Sequence, residues 1–231
     1  MTEFFIALAA FFVGHAIPPR PPAKPLLVKV LGERGYLIGY SILSLGLMVW
    51  LFAAAFRAPY VELWTPTATL AWVPVVLMLP AFIFAATGVI AANPMSVAFS
   101  RRPFDQADPG IVAVTRHPIL WAFGLWALSH MAPNGDLVWV LLFSIMAAFS
   151  FFGMIIIERR KQRSIAEDQW REMIAVTSRV PFAAIFAGRA NLPKDGKTWI
   201  GVALGIALYG LFLWRVHLDL IGADPLVLLS D

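Results

Sequence analysis

The sequence predicts an all-α fold, a polytopic integral membrane bundle of about six transmembrane helices that forms a single membrane domain over residues 1–231. Of its 231 residues, 60% are hydrophobic and 14% are charged, whereas a soluble domain carries roughly 25% charged residues. The mean hydropathy is +0.76. The surplus of apolar side chains must face lipid, so we expect a lipid bilayer as the main partner and no nucleic acid.

Six apolar segments approach the length of roughly 20 residues that a spanning helix needs. The first, 3–17, is stopped by the proline-rich stretch IPPRPPAKP, because proline lacks the N–H that a helix requires. The fourth, 118–131, has only about 14 residues, so we expect it to be tilted, short or partly re-entrant. The remaining predicted spans are 36–56, 70–92, 137–157 and 199–221.

Positive charge is distributed unevenly between the segments that connect these helices. Lys and Arg concentrate after the first, third and fifth helices, whereas the segment after the second helix holds only Arg57 and the one after the fourth holds none. Since basic loops stay on the cytoplasmic side, both termini are predicted to be periplasmic in a bacterial inner membrane. Residues 158–197 are then a cytoplasmic, basic and amphipathic segment, in which Glu167 and Arg171 have helical i, i+4 spacing.

Ionisable side chains at membrane depth cost free energy, so each of them is a candidate functional residue. His15 lies near the end of the first predicted helix, and His130 ends the apolar run GLWALSH. Imidazole is the commonest metal ligand and also a common interfacial group, so ligation and interfacial anchoring both remain open for His15. For His130, ligation and a polar cap at the helix end both remain open. The last turns of the sixth helix carry three further groups, interpreted as side chains that reach the interface: Arg215, His217 and Asp219.

The four residues 115–118, Thr-Arg-His-Pro, combine a guanidinium, an imidazole and a helix-starting proline. An Arg side chain beside the positive end of a helix is suited to a carboxylate, propionate or phosphate. Arg116 and His117 are therefore candidate catalytic and anion-binding residues, and a capped helix start is the alternative interpretation. The sequence lacks cysteine, a glycine-rich phosphate loop, a His-Glu-x-x-His helix and a serine nucleophile elbow, which excludes the corresponding enzyme classes.

Three stretches together carry a family resemblance: GHAIPPRPPAKPLLVKV, VTRHPILWAFGLWALSHMAPNGD and GMIIIERRKQR. With them the sequence resembles the NnrU family of bacterial membrane proteins, whose relatives include plant zeta-carotene isomerase. The resemblance implies haem b held by two histidines, His15 and His130 by motif position, and cis-trans isomerisation of a lipophilic polyene. Ala127 stands where the plant enzyme has a cysteine, so thiolate ligation is not expected. The family name further implies a role in nitrite and nitric oxide metabolism, that is, denitrification.

A second resemblance reaches the membrane methyltransferases that modify isoprenylcysteine or phospholipids. It implies S-adenosylmethionine as an alternative cofactor, bound by Arg116, Glu158 and Arg179. The sequence departs from that pattern after His-Pro, where Leu120 and Trp121 replace the usual residues. A membrane accessory factor without catalytic activity is the third hypothesis. The residues that carry the methyltransferase resemblance are Arg116, His117, Pro118, Glu158, Trp170, Arg179 and Pro181.

Depth in the membrane gives a different pairing of the histidines from the one that the family resemblance implies. At about 1.5 Å of rise per residue, His130 lies roughly 20 Å from the cytoplasmic entrance of the fourth helix. His15 lies close to the cytoplasmic face. Depth alone therefore pairs His15 with His117, and His130 with His217, so both pairings stay open at this point.

Overall fold

The structure is a computed structural model that describes residues 1–91, 93 and 105–229. Within these residues the chain is built from helices, and the one β-bridge joins Glu62 to Asp136. A five-residue π-helical turn, Phe212–Val216, separates the last two α-helices, and a short 3₁₀ turn follows at Val227–Leu229. The α-helices are α1 (Thr2–Ala16), α2 (Ala23–Phe56), α3 (Ala68–Ile90), α4 (Ile111–Val114), α5 (Pro118–Met131), α6 (Leu137–Gln162), α7 (Glu167–Ala175), α8 (Ala183–Phe186), α9 (Gly196–Leu211) and α10 (His217–Ile221).

The predicted all-α membrane fold is confirmed. Four helical stretches in the described residues are long and apolar enough to cross a bilayer: α2, α3, α6 and the continuous stretch Gly196–Ile221. The first and fourth predicted segments form the shorter helices α1 and α5, of 15 and 14 residues. The predicted end of the third segment at Ala92 lies outside the described residues, as do Arg101 and Arg102.

Helix α2 begins 13 residues before the predicted start of the second span, at Ala23 instead of residue 36. The backbone of Gly32 has φ 71° and ψ 166°, a conformation that residues with a Cβ atom rarely adopt. This glycine lets the chain change direction between two helical stretches. Lys24 and Lys29 therefore lie on a helical turn, where the sequence had suggested a loop.

The chain divides into two compact units, of which the first contains Met1–Trp64 and Asp136–Leu142. In this unit α1 packs on α2. A Cβ on Gly14 would lie 2.3 Å from Leu47, so the glycine permits this close approach. The buried residues of α1 recur every three or four positions, as expected for one helix face: Phe4, Ala7, Phe11 and Gly14.

The second unit contains Thr65–Gly135 and Phe143–Asp231, and α3 is its central helix. Both α5 and α9 pack on α3. Glycines make these contacts close, because a Cβ on Gly88 would meet Ile119 at 2.7 Å and one on Gly205 would meet the backbone of Ile83 at 2.6 Å. Small residues at helix interfaces allow backbones in a membrane to approach in this way.

The predicted helix within residues 158–197 is α7, and Glu167 accepts a hydrogen bond from Arg171 one turn later. Its side chains Trp170 and Met173 are buried and cluster with Ile157 of α6. This part of the amphipathic face therefore packs on protein.

Candidate functional site

An apolar pocket of about 240 Å³ lies in the second unit. Helix α3 supplies Val75, Met78 and Phe82 to its wall, and Tyr209 and Phe212 supply aromatic rings from the other side. The Tyr209 hydroxyl donates to the Val75 carbonyl over 2.7 Å, which joins α9 to α3. Two imidazoles, those of His130 and His217, complete the wall together with the chain that follows α10.

His130 is held in place by its own helix turn. Its Nδ1 lies 2.8 Å from the Trp126 carbonyl oxygen, so Nδ1 carries the proton and donates. The ring also packs near the rings of Trp126 and Phe143, at centroid distances of 5.9 and 5.5 Å. The Asn134 side chain donates to the His130 carbonyl over 2.7 Å, which closes the end of α5. Because Nδ1 carries the proton, Nε2 is the acceptor nitrogen of the His130 ring.

His217 opens α10, directly after the π-helical turn. Its Nδ1 donates to the Ala223 carbonyl over 2.8 Å, so its Nε2 is also the acceptor nitrogen. The ring centroids of His130 and His217 are 6.3 Å apart, with an interplanar angle of 22°. The two histidines thus lie close together, as depth predicted, and their pairing as ligands stays a prediction. Single π-helical turns of this kind are frequent at functional sites.

His15 belongs to the first unit, whereas His117 and His130 belong to the second. Its Nδ1 donates to the Phe11 carbonyl over 2.8 Å, and its ring lies 6.2 Å from that of Tyr40 in α2. The pairing of His15 with His130 that the family resemblance implies, and the pairing with His117 that depth implies, both stay predictions.

A buried polar cluster lies at the other end of α5. The Glu158 carboxylate accepts from Arg116 Nε over 2.9 Å, lies 3.0 Å from His117 Nε2 and accepts from Arg179. Arg116 also donates from Nη1 to the carbonyl and the hydroxyl of Thr177, each over 3.2 Å. Arg116, His117 and Glu158 are all buried. The structure therefore gathers the predicted Arg-His pair and Arg179 around the carboxylate of Glu158, so the three residues of the methyltransferase alternative lie together.

Backbone contacts fix the loop that carries Arg116 and His117. The Arg116 N–H donates to the Ser178 carbonyl, and the Phe182 N–H donates to the Val114 carbonyl. The Thr115 hydroxyl and the Trp121 indole both donate to the Arg179 carbonyl, over 2.8 and 2.9 Å. The segment after α7 is thus bound along the start of α5, which positions the Arg179 guanidinium at Glu158.

The charges in this cluster restrict what it can do. The hydrogen bond to Glu158 raises the pKa of Arg179 above its ordinary value. Two guanidinium groups share one carboxylate, and the Nε and Nη1 donors of Arg116 are engaged by Glu158 and Thr177. This arrangement joins α6, the start of α5 and the segment after α7. Binding of an external anion by Arg116 and His117 stays a prediction.

The two centres are separated along α5, since His117 precedes its first turn and His130 lies in its last. The distance along the axis is about 20 Å, at 1.5 Å per residue. No cluster of three or more His, Cys, Asp or Glu side chains that could hold a metal ion occurs in the part of the chain that the structure describes.

Sequence reasoning missed three residues of these centres: Asn134, Thr177 and Tyr209. Tyr209 had a signal, because a phenol within an apolar span requires a partner. Thr177 and Asn134 had none, because their contacts depend on how the chain turns after α7 and after α5. Arg215, which was interpreted as an interfacial side chain, donates to Asp219 over 2.8 Å one turn later, and both are exposed.

The family model described as NnrU protein matches residues 3–225. The chain belongs to the NnrU family. Among curated proteins it is similar to the chloroplastic 15-cis-zeta-carotene isomerases of Zea mays and Arabidopsis thaliana, at 29% identity over 175 residues and 35% over 88 residues. These alignments cover 72% and 38% of this chain.

The family match includes both centres of the second unit. The alignments span 46% of the maize protein and 24% of the Arabidopsis protein, so this chain covers less than half the length of either plant relative. No solved structure gives a significant match.

Proposed function

We propose that this protein is a membrane-embedded cis-trans isomerase of a lipophilic conjugated polyene, and that the pocket beside His130 is its site. The pocket carries the proposal, because its wall is apolar and aromatic and only a few polar groups face into it. Such a wall suits a hydrocarbon chain that enters from lipid. The similarity to plant isomerases supports the reaction class.

Haem b is the cofactor that the family resemblance implies, and His130 is the residue of the pocket that would supply a ligand to it. His130 presents an acceptor Nε2 while its Nδ1–H is held by a backbone carbonyl, which is the usual arrangement of a metal-bound histidine. The chemistry that such a cofactor would supply is electron donation to a conjugated double bond, which lowers the barrier to rotation about it. The protein itself would hold the polyene against the apolar wall that includes Phe82 and Phe212, and would exclude water.

The test is an isomerisation assay on detergent-purified protein with 15-cis-zeta-carotene as the probe, under oxidising and reducing conditions in the dark. Formation of the trans isomer is measured by liquid chromatography against a heat-denatured sample, which corrects for thermal isomerisation. We expect conversion with native protein only. Equal rates in the two samples would contradict the proposal.

A methyltransferase is the second candidate, favoured by one observation: Arg116, Glu158 and Arg179 converge. If these residues bind S-adenosylmethionine, the cofactor should raise the unfolding temperature of the purified protein by mass action. An unchanged unfolding temperature would contradict cofactor binding and would mean that the cluster around Glu158 has only a structural role. A part in nitrite and nitric oxide metabolism, as an accessory factor, is supported by the family name alone.

The proposed location is a bacterial inner membrane with both termini periplasmic. The distribution of Lys and Arg among the connecting segments supports it. The cluster around Glu158 would then lie near the cytoplasmic face, and the pocket would open in the periplasmic half.

A further inference from the structure

We infer that the ligand of this pocket carries a hydroxyl group at its buried end, and that Nε2 of His217 accepts the hydrogen bond from that hydroxyl. The ligand class is a lipophilic alcohol, that is, an apolar and conjugated chain that ends in an O–H group. This inference rests on the proposed function and deepens it, since it states which end group of the polyene the pocket recognises.

The polar side chains of the pocket spend most of their hydrogen-bond donors inside the protein. The Tyr209 hydroxyl donates to the Val75 carbonyl, and the Asn134 amide donates to the His130 carbonyl. Both imidazoles donate from Nδ1 to backbone carbonyls. What the wall chiefly offers to a ligand is therefore acceptors. In the described part of the chain, the polar side chains of this wall are those of His130, Asn134, Tyr209, His217 and Asp224.

His217 supplies the acceptor nitrogen for the ligand. Its ring lines the pocket, and its Nδ1–H is held by the Ala223 carbonyl over 2.8 Å, so the neutral ring can only accept at Nε2. Gly222, with φ 79°, turns the chain so that this carbonyl meets the ring. In the proposed function Nε2 of His130 binds the cofactor, which leaves Nε2 of His217 as the imidazole acceptor for the ligand.

An acceptor nitrogen discriminates between the end groups that a polyene can have. A hydroxyl donates to it, whereas a carbonyl or an ether brings only lone pairs and leaves Nε2 desolvated without a partner. An ammonium group would carry its charge into an apolar wall, which costs far more than burial of a hydroxyl. The Asp224 carboxylate is exposed and already accepts from the Leu226 N–H over 2.9 Å. A neutral alcohol is thus the end group that fits.

The volume of the pocket limits it to one end of the ligand. Its volume of about 240 Å³ is below the roughly 300–1,000 Å³ of pockets that enclose a drug-sized ligand. A long polyene would therefore place only its hydroxyl end and the adjoining part of its chain against Phe82 and Phe212, and the remainder would extend into lipid. The end group then decides which polyenes bind, because the rest of the chain contacts lipid whether or not it is bound.

The experiment measures binding of two probes with the same conjugated chain, all-trans-retinol and its O-methyl ether, to the protein purified in detergent. Both probes absorb where tryptophan emits, so quenching of tryptophan fluorescence reports the binding of each. We expect the wild type to bind the alcohol about three- to tenfold more tightly than the ether, the usual contribution of one hydrogen bond. Equal affinities would overturn the inference. Absence of binding of both probes would overturn it together with the proposed pocket.

Two variants test whether His217 is the acceptor. His217→Asn retains a side-chain N–H for the Ala223 carbonyl but lacks the acceptor nitrogen, so it should bind the alcohol and the ether alike. Arg215→Gln changes an exposed position of the same π-helical turn, outside the pocket, and should keep the preference for the alcohol. A preference that persists in folded His217→Asn would overturn the assignment. Size-exclusion chromatography shows that each variant is folded, and His217→Phe, which keeps a planar ring, replaces His217→Asn if that variant aggregates.

The outcome is separable from that of the proposed function. A preference for the alcohol without isomerisation of a polyene would contradict only the reaction. Isomerisation together with equal binding of the alcohol and the ether would contradict only the hydroxyl group.

Discussion

The guanidinium of Arg116 donates to the carboxylate of Glu158 over 2.9 Å, although 42 positions separate the two residues in the sequence. Both side chains are buried, with exposed fractions of 10% and 7%. A buried pair of charges is costly to desolvate and becomes strongly destabilising when one partner is removed. Because Glu158 also accepts from Arg179, it holds together three parts of the second unit.

We therefore predict that Glu158→Gln destabilises the protein by about 3–5 kcal/mol, since it leaves two guanidinium groups near a neutral amide. Thermal unfolding in detergent, followed by circular dichroism, would show a lower midpoint. Glu167→Gln is the matched control, because Glu167 pairs with Arg171 on the surface and its side chain is 77% exposed. Surface pairs of this kind contribute little. Equal midpoints for the two variants would contradict a structural role of the buried pair.

The contact between α9 and α3 gives a second prediction. A Cβ on Gly205 would lie 2.6 Å from Ile83 Cα and 2.8 Å from the Phe82 carbonyl oxygen. Backbone atoms cannot move aside cheaply, so Gly205→Ala should cost about 1–3 kcal/mol by overpacking. Differential scanning fluorimetry in detergent measures the loss.

Gly210→Ala is the control for that variant, because a Cβ built on Gly210 would have nothing within 4 Å apart from its chain neighbours and the backbone of its own helix. Alanine is also the better helix former, by about 1 kcal/mol. We expect the control to unfold at the wild-type temperature or slightly above it. If Gly205→Ala were as stable as this control, the close packing of α9 on α3 would be refuted.

The helices were predictable because the length and hydropathy of a spanning segment can be read directly from the local sequence. The segments 118–131 and 137–157 illustrate this, since the structure has α5 at Pro118–Met131 and α6 beginning at Leu137. The early start of α2 was not predictable in the same way. Lys24, Lys29 and Arg34 make its first turns polar, and the positive φ of Gly32 is set by the fold.

One part of the candidate site was predictable, because the depth of a side chain along its helix follows from its position in the sequence. His130 lies in the last turn of α5 and His217 follows the apolar stretch that begins at Gly196, so the rise along each helix was enough to predict that they lie close together. The meeting of Arg116 with Thr177 was not, because it depends on the turn after α7 that brings the chain back to α5. A long-range contact of this kind leaves no periodic signal in the sequence.

The pocket gives a third prediction, tested with two adjacent valines of α3. Val75 lines the pocket, whereas Val76 points outward and is 60% exposed. Val75→Trp should fill much of the cavity and reduce binding of an apolar fluorescent polyene at least tenfold, because the added ring occupies the space of the ligand. Val76→Trp adds the same ring outside the cavity and should bind like wild type. Similar losses in both variants would show that the polyene binds elsewhere.

Membrane orientation gives the last prediction, and the absence of cysteine from the sequence makes it simple to test. Single cysteines are introduced as Tyr60→Cys, after α2, and Ser164→Cys, after α6, both at exposed positions. The positive charge around Ser164 predicts that this segment lies in the cytoplasm. In intact spheroplasts of an expressing bacterium, a membrane-impermeant maleimide should therefore label Tyr60→Cys, and label Ser164→Cys only after permeabilisation. Labelling of Ser164→Cys in intact spheroplasts would reverse the orientation and place the Glu158 cluster in the periplasmic half.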